Sequence, residues 1–282
     1  MNITYIVGLV ATVVVMVLGM MGGFPPYDPK NLGNFMDPAS IMITIGCTIG
    51  VVVASFPAKT LASVPKHFQI LLNTKKNDPQ VYIDQLVELA QKARKDGLLA
   101  LEELAQQQED PFFKQAIMLV VDANDPDRVR SILENDIECM LARHDAVAGM
   151  YDKGSSVAPA FGMVGTLVGL INMLNNMSLD GGGADTLGKD MGTALITTLY
   201  GCILAHAIFS PIASNLRTRD EEEVLCKMII VEGITCIQSG ENPKLLREKL
   251  LTFVAQKQRE ADMGEGGGGE KKGGKKKKKK DE

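Results

Sequence analysis

Apolar and polar positions divide this chain into alternating stretches. Residues 3–22 (ITYIVGLVATVVVMVLGMMG), 38–56 (PASIMITIGCTIGVVVASF) and 154–177 (GSSVAPAFGMVGTLVGLINMLNNM) hold no charged side chain, and 190–212 (DMGTALITTLYGCILAHAIFSPI) holds none after Asp190. About 20 such residues suffice for a helix to cross a hydrocarbon core of roughly 30 Å. The pattern predicts four spans: 1–22, 38–56, 154–177 and 190–212. The first run lacks the basic start of a signal peptide and is too long for its core, so it predicts a retained helix. Residues 57–153 are charged, with apolar positions at helical spacing and no strand-like alternation. Residues 213–263 again read as an amphipathic helix.

The loops set the orientation. The connections 23–37 and 178–189 carry little positive charge beyond Lys30 and, at the edge of a span, Lys189. Lys59, Lys66, Lys153, Arg217 and Arg219 flank the opposite ends. Positive charge gathers on the cytosolic side, which places both termini and the 57–153 segment there. The expected fold is therefore an all-α integral membrane protein of four transmembrane helices. A helical cytosolic domain lies between spans two and three. Within it, Asp125-Pro126 reads as N-cap and first helical residue. No breaker follows before Gly149, which predicts a helix continuing into the third span.

Composition changes this picture little. The hydrophobic share of 45% over 282 residues conceals the uneven distribution, and a basic tail offsets an acidic middle to leave a net charge of −4. Cys47, Cys139, Cys202, Cys226 and Cys236 show no metal-type pairing and are expected to be reduced, small, buried hydrophobes. His67, His144 and His206 are too scattered along the chain to suggest a cluster; His206 is expected to face protein or interface water near the end of span four. Residues 264–282 (GEGGGGEKKGGKKKKKKDE) form a disordered Gly/Lys tail suited to anionic membrane lipid. Nucleic-acid binding would need a folded basic surface. No G-x-S-x-G, P-loop or HExxH pattern is present, so neither an enzyme nor a bound cofactor is predicted.

The chemistry turns on what the spans lack. Their interiors hold no Asp, Glu, Lys or Arg, whereas ion-driven machines usually place an ionisable group at membrane depth. Such a chain either anchors its cytosolic part or forms the wall of a pathway whose carboxylate comes from another subunit. Pro159 removes a backbone donor inside span three, and Thr166, Thr197 and Thr198 place hydroxyls at membrane depth. Those hydroxyls serve either as glue between helices or as the lining of a cation path. Gly46 and Gly50, four apart in span two, predict close helix approach there. Arg94 and Lys95 precede Gly97 and suit the last turn of a helix, while Glu102 suits the first turn of the next.

APAFGMVGTLVGL (158–170), ALITTLYGCILAHAIFSPI (194–212) and the charged ARKDGLLALEE (93–103) together resemble the MotA/PomA family of flagellar stator proteins. The order of elements is similar too, and the resemblance extends over the chain except its Gly/Lys end. It implies a stator subunit that, with a MotB-like partner, converts proton or sodium motive force into torque. It further implies five copies around a dimer of that partner, whose aspartate carries the transported H+ or Na+. By resemblance Pro159 lies near that aspartate, and Pro211 couples ion flow to movement. Thr166, Thr197 and Thr198 match positions where sodium-driven members carry threonine. Arg94, Lys95 and Glu102 match charges that contact the rotor protein FliG, and Glu138 lies near another acidic position of the family. The threonines leave the ion open. An ExbB/TolQ-type energiser of outer-membrane transport, a membrane-anchored scaffold and a self-sufficient channel remain as other readings.

Overall fold

A computed structural model describes residues 3–23, 27–72, 78–176 and 184–254. The Gly/Lys tail and parts of both predicted external loops lie outside the described residues. The described residues contain helices and no strand. In chain order these are α1 (Ile3–Met20), α2 (Pro38–Ile41) continuing through a π turn (Met42–Gly46) into α3 (Cys47–Ser55), then α4 (Ala58–Leu61) and α5 (Val64–Leu72). There follow α6 (Pro79–Asp96), α7 (Glu102–Gln107), α8 (Pro111–Val121) and α9 (Pro126–Asn175). Next come α10 (Ala184–Ile203), continuing through a π segment (Leu204–Phe209) into α11 (Ser210–Gln238), and finally α12 (Pro243–Leu250).

Local chemistry explains where many of these helices begin. Asp37, Asp78, Asp110 and Asn242 each precede a proline, and each side chain accepts a hydrogen bond from a backbone N–H in the first turn. Proline at the first position gives up no useful donor, and the acidic or amide cap satisfies one of the orphaned ones. Asp125 does the same for α9, accepting from the Asp127 N–H at 3.0 Å. That helix then runs unbroken for 50 residues, with Pro159 inside it.

Three stretches are long and apolar enough to cross a bilayer: Pro38–Ser55 and windows within Pro126–Asn175 and Leu187–Gln238. The apolar helix Tyr5–Met20 is shorter, so the described residues supply three such helices where the hydropathy pattern predicts four.

The chain divides into two compact units, with α9 and α11 contributing residues to both. One comprises Asn77–Ile137 and Glu223–Glu282. Its core is apolar: Ile83, Leu86 and Leu89 form one stripe of α6 and pack with Phe113, Ile117, Leu133, Ile230 and Leu246. Glu232 at the side of this packing is neutralised twice, since it accepts from Arg130 at 2.7 Å and from Lys249 at 2.6 Å. Burial pushes the Glu232 carboxyl up, but these two hydrogen bonds and their charges outweigh it and hold the group below its ordinary value.

The other unit comprises Met1–Lys76 and Glu138–Glu222. Leu71, Met150, Tyr151, Ile212 and Ala213 form its buried apolar cluster. Polar ties surround that cluster. The His67 ring nitrogen meets the Tyr151 hydroxyl at 3.2 Å, His144 meets Asp220 at 2.5 Å, and Arg217 pairs with Asp152. Although remote in sequence, His144 lies near enough to act on His67, whose pKa is lowered first by burial and then by that neighbour's charge. Cys226 and Cys236 are buried as expected, but Cys47, Cys139 and Cys202 are exposed on the single chain. Their helices leave those faces uncovered, so the general tendency of cysteine to be buried overstated their burial.

Candidate functional site

The predicted ion-path residues fall where α9 meets α10. Small residues make the contact possible. A Cβ added at Gly162 would stand 3.1 Å from the Thr197 carbonyl oxygen, and one at Gly201 would stand 2.7 Å from that of Ala158. At Gly165 it would stand 2.5 Å from the Thr197 side chain, and at Gly169 2.8 Å from the Ala194 Cβ. The two backbones therefore run together along a seam of glycine and alanine. The close approach expected at Gly46 and Gly50 is not made within this chain, where a Cβ at either would meet open space. Spacing identifies a small face on a helix but not the helix that will use it.

Three hydroxyls sit at this seam with different duties. The Thr166 and Thr198 hydroxyl oxygens are 2.6 Å apart, one from each helix. Thr166 also lies 3.0 Å from the Ala194 carbonyl oxygen and 3.1 Å from that of Gly162. Thr197 turns away from this pair: it is fully buried, and its hydroxyl donates back to Ala194 at 2.9 Å and Thr193 at 3.1 Å. Thr166 and Thr198 are thus the half-buried members, with neutral oxygens that can help solvate a cation. They bring no negative charge with which to neutralise it.

The prolines bracket this region. Pro159 stands two turns before Thr166 on α9, and its Cα would lie 3.1 Å from a Cβ at Gly201. It has no N–H for the Ser155 carbonyl four residues back. The Ser155 hydroxyl, a separate group, donates across to the Ala205 carbonyl at 3.1 Å. Pro211 stands one residue beyond the π segment Leu204–Phe209, at the second position of α11. Its ring crowds the carbonyl of Ala207, and a wider turn just upstream is where a helix absorbs such crowding. His206 lies exposed within that π segment.

The hydropathy pattern missed a second set of hydroxyls. Ser40, Thr44 and Thr48 form a stripe four residues apart along α2, its π turn and α3, each with no exposed surface. The Ser40 hydroxyl donates to the Asp37 carboxylate and lies 3.3 Å from the Thr193 carbonyl oxygen, Thr44 donates to the Thr197 carbonyl at 3.3 Å, and Thr48 back-bonds to Thr44 at 2.6 Å. Polar residues at i, i+4 and i+8 inside an apolar run are the signal that could have revealed them.

The charged motif belongs to the other unit. Arg94 and Lys95 occupy the last turn of α6, which Gly97 ends with a φ of 84°. A turn of 3-10 helix, Leu98–Leu101, leads into α7, whose first residue is Glu102. Each charge complements the helix dipole at its own terminus. All three are exposed, as is Leu99 between them at 75%, so the helix break presents one apolar side chain within a charged rim. Glu138 is exposed on α9 and belongs to the unit of Met1–Lys76 and Glu138–Glu222, not to that of the charged motif. Among the described residues, no group of three His, Cys, Asp or Glu side chains is placed to hold a metal.

Comparisons with known proteins give a consistent result. The model of the MotA/TolQ/ExbB proton channel family matches residues 104–227. Motility protein A of Borreliella burgdorferi is 39% identical over 83% of this chain and 88% of its own length. Chemotaxis protein PomA of Vibrio alginolyticus is 36% identical over 88% of this chain and 98% of its own. A chain of the flagellar MotAB stator complex from Bacillus subtilis matches in structure with a TM-score of 0.81 at 30% identity, covering 91% of this chain and 98% of that one.

Proposed function

The chain belongs to the MotA/TolQ/ExbB proton channel family, and from that membership we propose how it works as a stator subunit of the bacterial flagellar motor. It is a membrane protein of four spans in the inner membrane, with both termini and the 57–153 segment in the cytosol. Five copies surround a dimer of a MotB-like subunit. Each copy offers Thr166 and Thr198, flanked by Pro159, as part of the wall along which H+ or Na+ reaches the partner's aspartate. Neutralising that carboxylate removes the cost of keeping an anion in an apolar setting, and the ring steps around it. Pro211, beside its π segment, passes the step along α11. Arg94, Lys95 and Glu102 engage the rotor protein FliG, and Glu138 adds a further acidic contact. No covalent chemistry is involved.

The observation that carries this reading is the likeness to motility proteins along most of the chain, 39% identical in one case over 83% of it. The spans support it: they bring paired neutral oxygens 2.6 Å apart and hold no acid beyond Asp190 at the edge of the fourth. An ExbB/TolQ-type energiser is disfavoured, because the relatives quoted are motility and chemotaxis proteins.

Replacing Pro159 provides the test. Pro159→Ala is expected to reach the membrane and assemble with the MotB-like partner, yet to leave stator-null cells non-motile. Normal swimming by that variant would refute the proposed role of the α9–α10 seam.

A further inference from the structure

The peptide group joining Thr197 to Thr198 is held from two sides. On one side, the Thr44 hydroxyl donates to the Thr197 carbonyl oxygen at 3.3 Å. On the other, Gly162 leaves so little room that a Cβ there would meet both that oxygen and the Thr198 Cα at 3.1 Å. The clamped plane carries Thr198, whose hydroxyl pairs with Thr166 at 2.6 Å. A peptide fixed at its carbonyl and pressed against a glycine has little freedom to rotate, so the next residue inherits a fixed direction.

The backbone around Thr44 is specialised for this contact. Thr44 lies in the π turn Met42–Gly46, in a chain that is otherwise regular α-helix from Pro38 to Ser55. A π turn inserts one extra residue and re-aims the side chains beside it, and such turns gather at functional positions. Here it sets a fully buried hydroxyl against a neighbouring helix rather than its own. Thr48, one turn on, makes the ordinary bond to its own helix instead.

We propose that Thr44 is a positioning residue for the ion path: its hydroxyl fixes the Thr197–Thr198 peptide and through it the Thr166–Thr198 oxygen pair. This rests on the reading of Thr166 and Thr198 as part of the path wall. Thr44 itself touches no ion. Its influence falls on how well the pair receives one, so its loss shifts the ion concentration at half-maximal speed more than the maximal speed.

The experiment uses the full-length chain with its MotB-like partner in stator-null cells. Motor speed is recorded against sodium concentration and, separately, against external pH, and the intact complex is quantified from membranes. The variants are Thr44→Val, Thr44→Ala, Thr44→Ser and Thr198→Val. Ser55→Ala serves as a control, because Ser55 only back-bonds to Val51 of its own helix. Thr44→Val is expected to assemble and to raise the half-saturating level of the driving ion by roughly three- to tenfold, as for the loss of one net hydrogen bond. Thr44→Ser and the control are expected to match the parent chain. If Thr198→Val shifts the curve and Thr44→Val does not, the positioning role is wrong and the path reading stands. If Thr198→Val leaves the curve unmoved, the path reading falls and this proposal with it. Loss of the assembled complex in both Thr44→Val and Thr44→Ala overturns the proposal too, since the residue then serves the fold alone.

Discussion

Gly201 has no space for a methyl group, because a Cβ there would lie 2.7 Å from the Ala158 carbonyl oxygen and 3.1 Å from the Pro159 Cα. Both neighbours are backbone and can yield only if the helices separate. Gly201→Ala is therefore expected to cost about 1–3 kcal/mol, the usual effect of overfilling a packed interface. Gly188→Ala, where a Cβ meets nothing within 4 Å, is expected to cost nothing measurable. Thermal unfolding of the purified complex separates the two, and equal midpoints would contradict the close packing. At this scale the sequence was only partly legible. Thr166 and Thr198 could be singled out as hydroxyls at membrane depth, but Thr197 looked equivalent to them. Its inward turn toward Gly165 depends on contact with another helix, which local sequence does not encode.

At the scale of elements, the helix starts were the readable part. An acid or amide followed by proline marks the beginnings of α2, α6, α8, α9 and α12, and the mechanism is local. Asp110 does double duty, since its carboxylate also accepts from the Tyr82 hydroxyl at 3.0 Å while capping α8. Asp110→Ala is expected to destabilise α8 by about 1–2 kcal/mol, as for loss of an N-cap. Asp110→Asn, which keeps an acceptor, is expected to lose less. Hydrogen exchange should quicken over Pro111–Val121 in the first variant; an unchanged rate there would dismiss the cap. The π turns at Met42–Gly46 and Leu204–Phe209 were not legible. Each adds one residue to a turn without changing the apolar character of the run, and hydropathy responds to character alone. Pro211 hinted at the second, because a ring inside a helix needs relief nearby.

For the molecule as a whole, the uneven hydropathy carried most of the fold class, and the resemblance of residues 93–103, 158–170 and 194–212 carried the function, while the acid-free span interiors alone left an anchor and a pathway wall both open. A bundle that offers a cation only neutral oxygens has nothing with which to compensate the charge at membrane depth. The chain reconstituted alone into liposomes is accordingly expected to pass neither H+ nor Na+ above the level of empty vesicles. Co-reconstitution with the MotB-like partner is the comparison, and a selective current from the chain by itself would show that it carries its own ion site. What the chain could not declare was which faces meet. Gly46 and Gly50 carried a recognisable spacing yet face open space, while Gly162, Gly165, Gly169 and Gly201 do the close packing.

That glycine seam has a mechanical consequence. A joint between two rods made of bulky side chains has slack, because rotamers can be exchanged as one rod slips past the other. Between α9 and α10 there is little to exchange: backbone meets backbone at Gly162 and Gly201, only the small side chains of Thr197 and Ala194 face Gly165 and Gly169, and a one-residue slip would drive those side chains into a main chain. Close packing of this kind resists shear as a laminated plank does, so a push applied to one helix at this joint meets little slack before it reaches the other.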